Sequence, residues 1–244
     1  MKRVVVTGMA GVSPIGSDWA TVEANLRARQ SGIKAMPEWD VYDGLNTRLA
    51  GPIEDFSKPK HYSRKQVRAM GRVALLSTRA TELALEDAGL LGDAEITNGS
   101  MGVSYGSSTG NTDAVGHFAM MRMEGSTKGI TATSYVQMMS HTCAVNVGLF
   151  FELKGRIIPT CSACTSGSQG IGYAYEAIKY GKQTMMVAGG AEELCVTEAA
   201  VFDVMYATSL KNDKPQTTPS PFDKNRDGLV IGEGAGTLIL EELD

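Results

Sequence analysis

The chain has 244 residues, 43% hydrophobic and 20% charged, an ordinary globular composition with length for one large domain or two small ones. Its formal net charge of −4 gives no basis for binding nucleic acid or an anionic membrane. No apolar run is long enough to span a membrane, and the opening Val4-Val5-Val6 breaks at Thr7-Gly8 and Ser13-Pro14, too soon for an export signal. A cytoplasmic location is expected, where Cys143, Cys161, Cys164 and Cys195 stay free thiols.

Residues 2–7 read as a buried strand, followed by a turn rich in glycine and proline (Gly8, Gly11, Pro14, Gly16). Asp18 is placed to cap a helix with Trp19, Val22 and Leu26 on one face. Residues 31–62, which include Pro37, Pro52 and Pro59, read as irregular. Ser63 is placed to cap one long helix running to residue 87. Its apolar positions Val67, Met70, Val73, Ala74, Ser77, Ala80, Leu83 and Ala84 have helical spacing, and Ala88-Gly89 closes it.

A strand at 101–105 leads into Gly106-Ser107-Ser108-Thr109-Gly110, and helical patterns cover 112–124 and 133–151. Residues 157–160 form a strand and 165–180 a helix. A second buried strand covers 184–188, ending at Gly189-Gly190, and 193–207 is mostly helical. Residues 229–231 and 237–240 read as the arms of a hairpin around Gly232-Glu233-Gly234. Strands apolar on both faces, alternating with helices, predict an α/β layered fold with a mostly parallel sheet.

The segment with the most chemistry is Thr160-Cys161-Ser162-Ala163-Cys164-Thr165-Ser166-Gly167. A cysteine between a strand and a helix sits near unpaired N–H groups and a positive dipole end, which favour the nucleophilic thiolate. Small neighbours (Ala163, Ser166, Gly167, Ser168) let the backbone bend and a substrate approach, and the Cys164 N–H could serve an oxyanion hole. Three other readings stay open for Cys161-x-x-Cys164: a dithiol redox pair, half of a zinc site, or two buried apolar side chains. Neither Cys143, Cys195 nor the histidines His61, His117 and His141 form a second compact ligand pair. Gly232-Glu233-Gly234-Ala235-Gly236 does not open a helix and so is no dinucleotide fingerprint, and Asp223-Lys224-Asn225-Arg226-Asp227 carries cations where a calcium loop needs oxygens. Lys58, Lys60, Arg64, Lys65, Arg68 and Arg72 make either a solvated face or a dock for an anionic partner.

The segment 160–167 resembles the active-site segment of β-ketoacyl-[acyl-carrier-protein] synthases, the elongating condensing enzymes. Pro221 to Gly236 resembles that family's second signature, and Val4 to Gly16 its N-terminal segment. Tyr62-Ser63-Arg64-Lys65 and the loop near Trp39 are closest to the aryl-polyene or type II polyketide branch. The resemblance implies the N-terminal half of a thiolase-like layered fold, a five-stranded mixed sheet with helices on both faces, filling residues 1–244. The second half is expected to lie outside this chain.

It also implies decarboxylative condensation: Cys164 holds an acyl thioester that the carbanion of malonyl-carrier protein attacks. Arg64, Lys65, Arg68 and Lys211 match positions where the family meets acidic acyl carrier protein. No cofactor or metal is implied. The partners implied are acyl carrier protein and a second subunit, in a homodimer or heterodimer whose contact is expected through the strand at 184–188. The family's two catalytic histidines and its lysine come from the C-terminal half, and His61, His117 and His141 match none of them. The chain is expected to be inactive alone. The other reading is a truncated, non-catalytic partner resembling a chain-length factor.

Overall fold

The computed structural model describes residues 1–243. The first strand, β1 (Val4–Val12), is longer than its sequence predicts. It runs through Gly8, with a register shift between Val6 and Gly8. A Cβ on Gly8 would lie 2.3 Å from the Ala84 carbonyl oxygen, so this glycine marks a close approach and not a turn. Helix α1 (Trp19–Arg27) follows, with Asp18 accepting from the Thr21 N–H at 2.9 Å. The region expected to be irregular holds β2 (Lys34–Ala35), a short 3-10 turn and β3 (Leu49–Gly51), pieces too short to show periodicity.

The expected long helix is two helices. Helix α2 (Arg64–Val67) carries a reciprocal capping box between Ser63 and Gln66, and α3 (Arg72–Asp87) starts after Gly71. Gly71 is extended, at φ −86° and ψ −174°, which separates the two helices, and a Cβ on it would sit 2.4 Å from the Asn111 side chain, so only glycine fits there. Then come β4 (Met101–Gly106), α4 (Thr112–Glu124), α5 (Ser134–Met138), α6 (Thr142–Phe150) and β5 (Ile157–Thr160). The chain continues through α7 (Ser166–Lys179), β6 (Met185–Glu192), α8 (Val196–Val204), β7 (Ile231–Gly232) and β8 (Gly234–Glu242). The expected hairpin is absent: β7 and β8 belong to different sheets. Paired with β7, β8 would meet a two-residue partner, whereas β1 and β6 pair along its full length.

The chain forms two compact units. The first comprises Met1–Val12, Ser57–Glu193 and Gly234–Asp244. Its sheet has the order β1-β8-β6-β4-β5, with β4 parallel to β5 and β6 and with β8 antiparallel to β1 and β6. The hydroxyl of Thr237 on β8 lies 3.4 Å from that of Thr81 on α3, while Leu238 and Leu240 pack with Ala174, Ala177 and Ile178 of α7. Because alternate residues face opposite sides of a strand, α3 and α7 cover opposite faces of the sheet. Strand β6 lies inside the sheet between β8 and β4, so its edges are filled and it cannot pair across a dimer as expected. The edge next to β4 is β5, where Pro159, lacking an N–H, is tolerated.

The second unit comprises Ser13–Phe56 and Leu194–Glu233. Its small sheet has the order β2-β3-β7, and Met36, Trp39, Leu45, Ala50 and Ala199 form its core. Asp203 is buried and accepts from the Asn46 and Thr47 N–H groups and from the Thr208 hydroxyl. Burial opposes its charge, but these bonds together hold its carboxyl below the ordinary range.

In the first unit Glu193 fixes two helix starts at once. It accepts from Val73 N at 3.1 Å, Thr112 N at 2.8 Å, the Thr112 hydroxyl at 2.9 Å and the Asn111 amide at 3.0 Å. A carboxylate is well placed at helix N-termini, where orphan N–H groups and the dipole favour a negative charge. Replacing Glu193 with Ala strands these buried donors and should destabilise the protein by about 2–4 kcal/mol. Urea unfolding checks this; a change within experimental error would remove Glu193 from the framework.

Candidate active site

Cys164 lies in the turn between β5 and α7, within the first unit, and it is exposed. Ser166 clamps the turn. Its hydroxyl accepts from Ser162 N at 2.8 Å and donates to Ala163 O at 2.7 Å, while the Thr160 hydroxyl donates to Ser166 O at 2.8 Å. The backbone adds Thr165 N to Ser162 O at 3.2 Å and Ser166 N to Ala163 O at 3.0 Å. Ala163 has a φ of +50°, a left-handed conformation strained for a non-glycine residue, just before the cysteine. The 14-residue helix α7 directs its N-terminal end at this turn. Among the described residues, no hydrogen bond engages the Cys164 N–H.

The neighbouring loop after β4 is built to approach this turn. A Cβ on Gly106 would lie 2.5 Å from the Ser166 carbonyl carbon, and Ser107 N donates to Thr160 O at 3.3 Å. Glu192 holds the loop from the other side, accepting from the Ser107 hydroxyl at 3.0 Å, Ser108 N at 2.5 Å and the Thr109 hydroxyl at 3.0 Å. In the sequence Ser166 reads only as a small neighbour, and nothing singles out Glu192. A serine opening a helix is a capping signal, but Glu192 acts on residues more than 80 positions away, which no local pattern reveals.

The four thiols differ. Cys143 is fully buried on α6, and burial pushes its thiol up to about 12. Cys195 caps α8, its sulfur accepting from Thr197 N at 3.4 Å. Cys161 is exposed like Cys164, so the expectation of two buried apolar cysteines does not hold; its sulfur lies 3.6 Å from Ser108 O. No cluster of three or more His, Cys, Asp or Glu able to hold a metal occurs among the described residues.

Of the cations matched to carrier-protein contacts, Arg64 and Lys65 lie on α2 and Arg68 just after it, all exposed and without ion-pair partners among the described residues. Lys211 lies in the second unit, and its ammonium is 3.2 Å from Asp227. Its charge is therefore partly neutralised, unlike the other three.

The chain before α2 is anchored by Glu82 on α3, which accepts from His61 Nε2 at 2.6 Å, from the Tyr62 hydroxyl at 2.9 Å and from Arg79. Burial opposes the Glu82 charge, but these bonds together hold its carboxyl below the ordinary range. The Tyr62 ring packs 4.5 Å from that of Phe150, and burial pushes its phenol up. His61 is thus engaged by Glu82, and no hydrogen bond joins a histidine to Cys164 among the described residues.

A clamped and exposed thiol thus sits at a strand-to-helix turn of a five-stranded mixed sheet, and the fold is thiolase-like. The sequence matches the β-ketoacyl synthase N-terminal domain over residues 1–244, and the chain belongs to that family. It is 36% identical over 251 residues to 3-oxoacyl-[acyl-carrier-protein] synthase 2 of Vibrio harveyi, covering all of this chain and 58% of that protein. It is 34% identical over 247 residues to 3-oxoacyl-[acyl-carrier-protein] synthase 1 of Haemophilus influenzae, covering 100% of this chain and 60% of that protein. The chain therefore spans less than two thirds of the curated relatives it matches.

The crystal structure of a β-ketoacyl synthase from Burkholderia phymatum STM815 superposes with a TM-score of 0.97 at 57% identity, covering 99% of this chain and 59% of that one. The ishigamide ketosynthase/chain length factor superposes with a TM-score of 0.84 at 26% identity, covering 99% of this chain and 59% of that one. No helix among the described residues is long and apolar enough to cross a membrane.

Gly106→Ala should force the loop and the Cys164 turn apart, costing about 1–3 kcal/mol as overpacking does. Limiting iodoacetamide should label Cys164 first and Cys143 last in the native protein, and the variant should lose that ranking. An unchanged melting curve and labelling order would show that the close approach is not needed. Glu82, with its lowered carboxyl pKa, should stabilise the fold above the ordinary carboxylate range and lose this as pH falls through its folded value. Glu82→Gln should therefore be less stable than wild type at neutral pH, and the gap should narrow between about pH 5 and pH 3. Urea titrations at stepped pH read this directly; a gap constant with pH would deny Glu82 that role.

Proposed function

We propose that this chain is the nucleophile-bearing part of a β-ketoacyl-[acyl-carrier-protein] synthase acting in fatty-acid or polyketide-type chain elongation. The observation that carries this reading is the exposed Cys164 thiol, held by the Ser166 clamp before a long helix. The Cys164 thiolate attacks the acyl thioester of a carrier protein, a C–S bond forms, and the carrier's thiolate leaves and takes a proton. The Cys164 N–H donates to the developing oxyanion. Malonyl-carrier protein then loses carbon dioxide, and its carbanion attacks the thioester carbon and releases Cys164. The reaction needs no cofactor or metal. No residue here fills the family's histidine roles, so decarboxylation is assigned to residues outside 1–244, and this stretch by itself is inactive in condensation.

Arg64, Lys65 and Arg68 form a carrier-protein dock on the first unit; Lys211, on the second unit, is a separate and weaker candidate contact because Asp227 shares its charge. The solved complex of a type II polyketide synthase acyl-carrier protein with its ketosynthase, 26% identical to this chain, supports such a partner. A second subunit, identical or related, completes the assembly; the β5 edge and the exposed Leu149 and Ile157 support a contact there. A non-catalytic, chain-length-factor-like role is the second reading, favoured by the likeness to a ketosynthase/chain length factor structure. A purely structural partner needs no clamped thiol, so the first reading stands ahead.

The test uses the intact full-length protein with acyl- and malonyl-carrier proteins. Formation of β-ketoacyl-carrier product, abolished in Cys164→Ala, is the expected result; no product, or product from the variant, overturns the reading. Exposed ion pairs contribute about 0.2–1 kcal/mol each and are screened by salt. Lys65→Glu should therefore weaken carrier binding several-fold at low salt and much less at high salt. Calorimetry at two ionic strengths decides this, and salt-independent affinity returns α2 to a merely solvated face.

A further inference from the structure

The condensation uses one thiol of the turn and leaves Cys161 without a task. Cys161 and Cys164 are three positions apart in the segment joining β5 to α7, and both are exposed. That segment follows a strand of a parallel trio, since β5 and β6 both run parallel to β4. The backbone between the two thiols is folded back on itself. Ala163 is left-handed at φ +50°, and the N–H groups of Thr165 and Ser166 return to the carbonyls of Ser162 and Ala163. Ser162 N is tied to the Ser166 hydroxyl at 2.8 Å. The Cys161 sulfur has one weak polar neighbour, Ser108 O at 3.6 Å, and it is not buried as a structural thiol would be. Two exposed cysteines thus flank one folded-back turn, three positions apart and beside a helix N-terminus.

We propose that Cys161 is the resolving thiol of Cys164, so that oxidation turns the nucleophile off reversibly. The oxidant is a hydroperoxide. The Cys164 thiolate attacks the O–O bond, forming Cys164–SOH and releasing alkoxide or hydroxide. Sulfur loses two electrons and the peroxide bond gains them. Cys161 gives its proton to solvent and, as thiolate, attacks the sulfenic sulfur; the S–S bond forms and hydroxide leaves, picking up that proton from solvent as water. A thiol–disulfide exchange with a small dithiol restores both cysteines. Without Cys161 the sulfenic acid would persist and go on to the irreversible sulfinic acid.

That this oxidation is an off-switch rests on the proposed role of Cys164; the disulfide itself does not, and the two are tested separately. The intact full-length protein, with no acyl donor present, is treated with hydrogen peroxide in stepped amounts, quenched with iodoacetamide and digested with trypsin. The peptide from Ile157 to Lys179 carries both cysteines. The expected result is a loss of two hydrogens from this peptide, reversed by dithiothreitol. In Cys161→Ser and Cys161→Ala the expected product is sulfinic acid at Cys164, which dithiothreitol does not reverse. Two variants guard against one that fails to fold, and the wild-type mass shift needs neither.

Sulfinic acid at Cys164 in wild type at the rate seen in the variants would overturn the proposal, as would a disulfide to Cys143 or Cys195. Wild-type protein that forms the disulfide but shows no acylation of Cys164 when reduced would sink the condensation reading and leave the dithiol intact.

Discussion

The site depends on how closely the first turn of α7 lies on the end of the sheet. Gly106 at the end of β4 leaves no room for a Cβ against Ser166, and a Cβ on Gly190 of β6 would lie 2.8 Å from the Gly167 Cα. Two glycines on adjacent strands thus let helix backbone touch sheet backbone. With the helix start pressed there, the connection from β5 has only residues 161–165 to turn in. That constraint accounts for the left-handed Ala163 and for the Ser166 clamp, and it leaves Cys164 outside the packed layer, facing solvent.

Two successive carboxylates at the end of β6 extend the same logic. Glu192 holds the loop beside the cysteine turn, and Glu193 ties the starts of α3 and α4. Removing water from a carboxylate is costly unless N–H and O–H groups replace it, and here every donor comes from a loop or helix start that would otherwise be unsatisfied. Helix α2 is set by Glu82 through Tyr62 and His61, so Arg64 and Lys65 on it and Arg68 just after it have a fixed place despite the helix being one turn long.

The strand, turn and helix around Cys164 were legible because Ile157-Ile158 and the period of α7 are local signals. Both β5 and the α4 helix fall where the pattern places them. Gly71 was not legible as a break, since a glycine inside a helical pattern is tolerated and its extended backbone against Asn111 is a tertiary feature. The hairpin at Gly232-Glu233-Gly234 misled for a similar reason: turn chemistry is local, but β8 is claimed by β1 and β6. Lys211 reads as a free cation until Asp227 is brought beside it. The exposed cysteine turn was thus readable, whereas the Glu192 bonds that hold the loop beside it, made across more than 80 positions, were not.

The central claim is that Cys164 accepts an acyl group as a thioester. The most direct measurement incubates the intact full-length protein with an acyl-carrier protein, without malonyl donor, and maps the acyl mass by peptide sequencing before and after neutral hydroxylamine. The account predicts one acyl group per chain, on Cys164, removed by hydroxylamine as a thioester is. Acyl mass on Cys161, on a hydroxyl or amine, or on no residue would contradict it.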